Sequence, residues 1–192
     1  MRFIHTADWH LGKLFGQRHM TEDQAYVLEE LLALSRDVRP DALVIAGDVY
    51  DRAIPPPEAV ELFNEILTRL AEQGIKVLFI AGNHDSAVRL HFGAQLLRAS
   101  GIYPAGVVRA NEPPVVLSDD FGPVYFSLIP YGDPPHVRAA FSVEEALSFD
   151  TALAVQIAAA RAQIPPSARS VAVAHAFVIG GQVSESEHAL SV

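Results

Sequence analysis

Four short apolar runs in this chain each end abruptly in residues that bind metals or move protons, and that repetition constrains the fold more than any other feature. Arg2 to Ala7 reads as a buried strand and runs into Asp8-Trp9-His10. Ala42 to Ala46 runs into Gly47-Asp48-Val49-Tyr50-Asp51, Val77 to Ala81 into Gly82-Asn83-His84-Asp85, and Val171 to Ala174 into His175. Parallel strands present their carboxyl ends on one edge of a sheet, where α/β proteins build sites. Residues far apart in sequence are therefore expected to converge on a single edge.

The segments between these runs read as helices. Thr21 with Gln24 gives a capping-box pattern, and Val27, Leu28, Leu31, Leu32 and Leu34 form an apolar face that ends near Pro40. Pro55 to Pro57 opens a second helix carrying Val60, Phe63, Ile66, Leu67 and Leu70, closed by Gly74 as the residue after its cap. A helical stretch is expected around Phe92 to Ala99. Val115 to Leu117 and Val124 to Ile129 flank the turn-rich Ser118 to Pro123 and read as a hairpin in a second sheet. An Ala-rich helix is predicted from Ser142 to Gln163, capped by Ser142 with Glu145. The expected architecture is α/β, layered, with an antiparallel addition.

With 192 residues, half of them hydrophobic, the chain can bury one substantial core, and a single domain over 1–192 is expected. It contains no cysteine, which excludes disulfides, thiolate zinc sites and a cysteine nucleophile. Any metal must therefore be held by oxygen and imidazole ligands, a set suited to manganese and open to zinc. No apolar run approaches a membrane span and the N-terminus lacks a signal-peptide core, so a cytoplasmic protein without membrane association is expected. The net charge of −9 argues against unaided binding to nucleic acid, whose affinity rests on Lys and Arg neutralising phosphates.

Each motif taken alone has an ordinary reading, since Asp-x-His and Gly-Asp are common turn chemistry and a single His is more often a satisfied core residue. The ordered set points instead to a metal site. Asp48 is the candidate bridge between two ions, because a carboxylate can touch both. Gly47 and Gly82 allow close approach of backbone and metal.

HTADWHLG at 5–12, GDVYDR at 47–52 and AGNHD at 81–85, in this order and spacing, resemble the calcineurin-like metallophosphoesterase family. The opening motif and GGQVSESE at 180–187 are similar specifically to the nuclease subunits of complexes that process DNA double-strand breaks. The resemblance implies a layered fold with central sheets flanked by helices and a site of two divalent ions, manganese foremost. Asp8, His10 and Asp48 would hold one ion, and Asp48, Asn83 and His175 the other. His84 would be the catalytic histidine, with Asp51 and Asp85 orienting their neighbours. Arg52 and Lys13 are candidate phosphate contacts.

The implied activity is hydrolysis of DNA phosphodiester bonds, as exonuclease and endonuclease, by a homodimer joined to an ATPase subunit that supplies much of the DNA-binding surface. Val60, Phe63 and Leu67 are the candidate apolar residues for the dimer. The family pattern ends in a Gly-His-x-His segment, whereas the only later histidine, His188, lies in Glu187-His188-Ala189. The domain is thus expected to be incomplete at its C-terminal end and weak or inactive alone. Two alternatives follow: a phosphodiesterase for a non-DNA substrate, and a non-catalytic module that keeps the fold. A purple acid phosphatase is disfavoured, because Asp51 stands where that family has a metal-binding tyrosine and Tyr50 is offset from it.

Overall fold

The computed structural model describes residues 1–177. The stretch at 180–187 and His188 lie outside the described residues.

The strands β1 (Phe3–Thr6), β4 (Ala42–Ala46), β5 (Lys76–Ile80) and β6 (Ile102–Ala105) form one parallel sheet in the order β1-β4-β5-β6. Between the first two lie a small hairpin, β2 (Leu14–Phe15) with β3 (Arg18–His19), and the helix α1 (Thr21–Val38). The crossover from β4 to β5 is α2 (Pro57–Glu72), and α3 (Ala87–Leu90), α4 (Ala94–Leu97) and a 3₁₀ turn at Arg98–Ser100 lead into β6. A second sheet contains β7 (Val115–Asp119), β8 (Gly122–Ile129) and β9 (Arg169–Ala174). Here β7 and β8 are antiparallel, and β9 pairs in parallel with β8. The helices α5 (Pro134–Phe141) and α6 (Phe149–Ala162) connect β8 to β9.

Strand β4 is buried along its whole length because both of its faces are covered. Leu43 and Ile45 point toward α1 and α2, where Leu32, Phe63, Leu70 and Phe79 complete one core. Ala42, Val44 and Ala46 point the other way, joining Leu78, Ile80, Val124, Phe126 and Val173 in a second core between the two sheets. The period of two along a strand thus divides β4 between two cores. The result is the expected layered α/β fold, with central sheets flanked by helices.

Several sequence expectations are corrected. The four functional strands do not share one sheet: β9 belongs to the second sheet, and His175 approaches the first from across the inter-sheet core. Strand β1 is an edge strand whose residues alternate between exposed and half-buried, not a buried one. The predicted helix at 142–163 is two helices. Asp133 caps α5 by accepting from the amide of His136, with Pro134 in its first turn, and Ser142 ends it in a left-handed conformation (φ 54°). A new start at Ser148 and Thr151 forms the capping box of α6. Thr21 and Gln24 form no such box, because the Gln24 side chain is turned toward the loop after β1. Phe63 and Leu67 are core residues, so of the three apolar residues proposed for a dimer only Val60 is exposed.

Phe126 is fully buried between the sheets and packs edge-on against Phe3 at 5.7 Å. Phe126→Ala is expected to lower stability by about 3–5 kcal/mol through lost burial and a residual cavity. Urea unfolding measures this directly, and a loss below about 1 kcal/mol would mean that the inter-sheet core is not the structural centre described.

Candidate metal centre

Just beyond the ends of β1, β4 and β5, three loops are laced together by their backbones. The amides of Asp8, His10 and Leu11 donate to the carbonyls of Gly47, Asp48 and Val49 at 3.0, 3.0 and 2.9 Å, so the first loop runs alongside the second. Asp8, His10 and Asp48 adopt positive φ of 57°, 44° and 50°, which is unusual for residues with a Cβ. Each such conformation costs on the order of 1–3 kcal/mol and persists only where its surroundings enforce it.

Two side chains do much of that enforcing. Asp85 accepts from the amides of Val49 (3.1 Å), Tyr50 (2.9 Å) and Gly82 (2.9 Å), tying the third loop to the second. Burial pushes the Asp85 carboxyl above its ordinary range, a shift that these backbone donors oppose. Tyr50 beside it is pushed up to about 12 by burial and by the Asp85 charge, and stays a neutral phenol. The Gln24 amide donates to the carbonyls of Trp9 (3.1 Å) and His10 (2.7 Å) and accepts from the amide of Gly12 (3.1 Å). Gln24 was not identified from the sequence, where its position after Thr21 matched a helix-start signal equally well.

Asp48 is the centre of the arrangement, 3 % exposed. Its Oδ1 accepts from the amide of His84 at 2.9 Å, and its Oδ2 stands 3.6 Å from both His10 Nε2 and His175 Nε2. Asp8 Oδ1 is 3.9 Å from His10 Nε2. These gaps exceed a hydrogen bond, yet they suit atoms sharing an ion, since two ligands each about 2.0–2.2 Å from a metal stand roughly 3–4 Å apart. Asp8, Asp48 and His175 form one set of mutually close ligand atoms, and His10, Asp48 and His84 another. Asp48 is common to both. Asp8 thus lies close to His175 and Asp48 and also, at 3.9 Å, to His10, with which the resemblance pairs it.

The donor chemistry fits a cation independently of that grouping. His175 Nδ1 donates to the carbonyl of Ala46 at 2.9 Å, so its Nε2 presents a lone pair. Nε2 stands 3.0 Å from the Asn83 amide oxygen and 3.6 Å from the Asp48 carboxylate, a nitrogen and oxygens of the kind that hold a divalent cation. His10 Nδ1 is buried without a hydrogen-bond partner, with Asp51 Oδ1 3.4 Å away. Among the described residues no Lys or Arg pairs with Asp48. A buried carboxylate facing other acceptors is costly unless positive charge is supplied.

His84 differs from the other histidines. Its Nδ1 donates to the carbonyl of Asp51 at 2.9 Å, which places a proton on Nδ1, and the residue is exposed. Its ring lies edge-on to His10 at 4.8 Å. Lys13 and Arg52 are exposed, and neither side chain makes an ion pair or hydrogen bond among the described residues. The end of β8 also reaches this edge: the amide of Tyr131 donates to the carbonyl of Ala81 at 2.8 Å, and its ring packs edge-on against His175 at 6.4 Å. Pro130-Tyr131-Gly132 carries the same signal as the other strand endings, an apolar run stopping at a turn, and could have been counted with them.

Paired loops, a shared buried carboxylate and converging acceptors define a metal-dependent phosphoesterase site, and the family model for Calcineurin-like phosphoesterase matches residues 1–153. The chain belongs to this family. It is also similar to the SbcD subunit of the nuclease SbcCD of Staphylococcus epidermidis, with 31% identity over 193 residues, covering 100% of this chain and 50% of that protein. The chain therefore spans half the length of the curated relative it matches.

A Cβ on Gly82 would meet Asp48 Oδ1 at 2.0 Å and the Asp48 amide at 2.4 Å. Gly82→Ala must displace Asp48, and manganese affinity is expected to fall by about 10–100-fold or more, the scale of disrupting a ligand's support. Titration calorimetry reads the affinity and circular dichroism checks the fold; unchanged affinity in a folded variant would remove Asp48 from the metal site.

Proposed function

We propose that this chain carries the metal-holding part of a DNA phosphodiesterase, acting as exonuclease and endonuclease within a complex that processes double-strand breaks. The observation that carries the reading is the buried Asp48 carboxylate shared by two groups of ligand atoms at the open edge of the sheet. The DNA substrate and an SbcC-like ATPase partner are drawn from the relative's name. A partner also answers the charge of −9, since it can supply the cationic surface that the chain lacks.

Asp8, His10, Asp48, Asn83 and His175 would hold two divalent ions, manganese foremost, with Asp48 between them. Such ions supply polarisation of the phosphate and stabilisation of its developing charge. The protein groups do the rest. Asp51 and Asp85 hold the loops and the His84 ring in place, through the Asp51 carbonyl and the three Asp85 hydrogen bonds. In its imidazolium form His84, whose Nδ1 proton stays hydrogen-bonded to the Asp51 carbonyl, would deliver the Nε2 proton to the leaving ribose oxygen. Arg52 and Lys13, exposed in adjoining loops, are available to phosphates. A phosphodiesterase for a non-DNA substrate would use the same site residues, and activity on DNA set against p-nitrophenyl phosphate separates the two. Among the described residues no helix is long and apolar enough to cross a membrane, in keeping with a cytoplasmic role.

A homodimer remains part of this reading, on a different surface from that expected. Val88 on α3, Phe92 in the turn that follows and Leu96 on α4 are 74%, 85% and 81% exposed. Exposed apolar side chains so close in the chain suit burial against a second copy. Phe92→Glu is expected to turn a dimer into a monomer by light scattering without loss of helix content; a monomeric parent at high concentration would remove the surface.

His84→Ala is expected to lower DNA hydrolysis by about 10²–10⁴-fold, the usual worth of a positioned acid or base, while manganese still binds. Asp48→Ala should lose the metals. Because His84 lies within ligand reach of His10 and Asp48, calorimetry is decisive. Loss of one manganese equivalent in the His84 variant would make it a ligand instead of the proton donor.

A further inference from the structure

Beside the metal centre lies a cluster of rings that the proposed chemistry does not use. Tyr131 packs edge-on against His175 (6.4 Å, 80°) and Phe177 (6.2 Å, 87°) and lies tilted beside Phe149 (6.5 Å, 34°). Phe149 and Phe177 meet edge-on at 6.3 Å and 89°. Buried aromatic clusters are ordinary packing, but these two phenylalanines are 53% and 51% exposed. The three rings come from separate places: Tyr131 from the end of β8, Phe149 from the first turn of α6, and Phe177 from the segment after β9.

We propose that Tyr131, Phe149 and Phe177 form a platform that stacks an unpaired nucleobase of the strand whose phosphodiester lies at Asp48 and His175. The proposal rests on the nucleic-acid function proposed for the site. Its position supports it, because the Tyr131 backbone is fixed to Ala81, immediately before the Gly82-Asn83-His84 turn, and its ring packs against that of His175. Its chemistry supports it as well. Phe149 and Phe177 are each about half exposed, and a base presents a flat π-face whatever its identity. The neighbouring side chains Asp8, Asp48 and Asp133 are carboxylates, which repel a phosphate backbone, so affinity here must come from neutral surfaces. A paired base inside a duplex has its faces already occupied by its neighbours, which makes the platform selective for frayed ends and single strands.

The test uses fluorescence anisotropy with a labelled single-stranded oligonucleotide and its abasic counterpart of equal length and charge, in calcium. The parent protein is expected to prefer the base-carrying strand by about five- to 150-fold in Kd, the worth of one stacked base. Phe149→Ala and Phe177→Ala should reduce that preference by weakening only the base-carrying strand, and Phe149→Tyr should restore it. Equal binding of both strands by the parent, or variants that weaken both alike, would overturn the platform alone. Binding of neither strand with the ATPase partner present would overturn the nucleic-acid function and the platform with it.

Discussion

A carboxylate withdrawn from water between two sheets is the constraint around which this molecule is arranged. Asp48 follows a strand buried on both faces and can reach solvent in only one direction, toward the loops beyond the strand ends. Its surroundings offer one backbone donor, the His84 amide, and two imidazole nitrogens too far away for hydrogen bonds. Uncompensated burial of such a charge is strongly unfavourable. Positive charge placed among Asp8, His10, His84, Asn83 and His175 resolves the imbalance, and the same charge is what a phosphoester needs from the site.

Holding that geometry requires conformations the chain would not adopt alone. Three left-handed residues around the site carry a cost that local sequence does not offset. Asp85 and Gln24, neither facing the metal position, answer it by binding backbone groups of the loops. Asp85 does so despite its own burial, which opposes its ionised form. Rigid loops of this kind keep ligands near productive positions before any ion binds, which limits reorganisation when it does.

The acidity of the chain and its proposed action on nucleic acid are compatible once the roles are divided. In that proposal metal ions would neutralise the phosphate being attacked, neutral rings would hold a base, and the remaining backbone charge would fall to another polypeptide. Val88, Phe92 and Leu96 are exposed apolar residues outside that division of roles.

The sequence by itself marked β1, β4, β5, β7, β8 and β9, though not β6, and the candidate site residues at their ends, because parallel strands need continuous apolar runs and sites form where those runs stop. The spacing of Asp8, His10, Asp48, Asn83, His84 and Asp85 was legible for that reason. Only the tertiary structure decided that His175 arrives from a second sheet, since an apolar strand carries no mark of the sheet it will join. It alone decided that Phe63 and Leu67 face the core while Phe92 and Leu96 face solvent, because helical periodicity identifies an apolar face without saying what covers it. The division at Ser142 was likewise hidden, as the residues from Ser142 to Ala146 suit a helix start and Asp133-Pro134 had already supplied one. Gln24 and Asp85 show the same limit: a side chain that binds distant backbone has no local signal, and its partners become visible only when the loops meet.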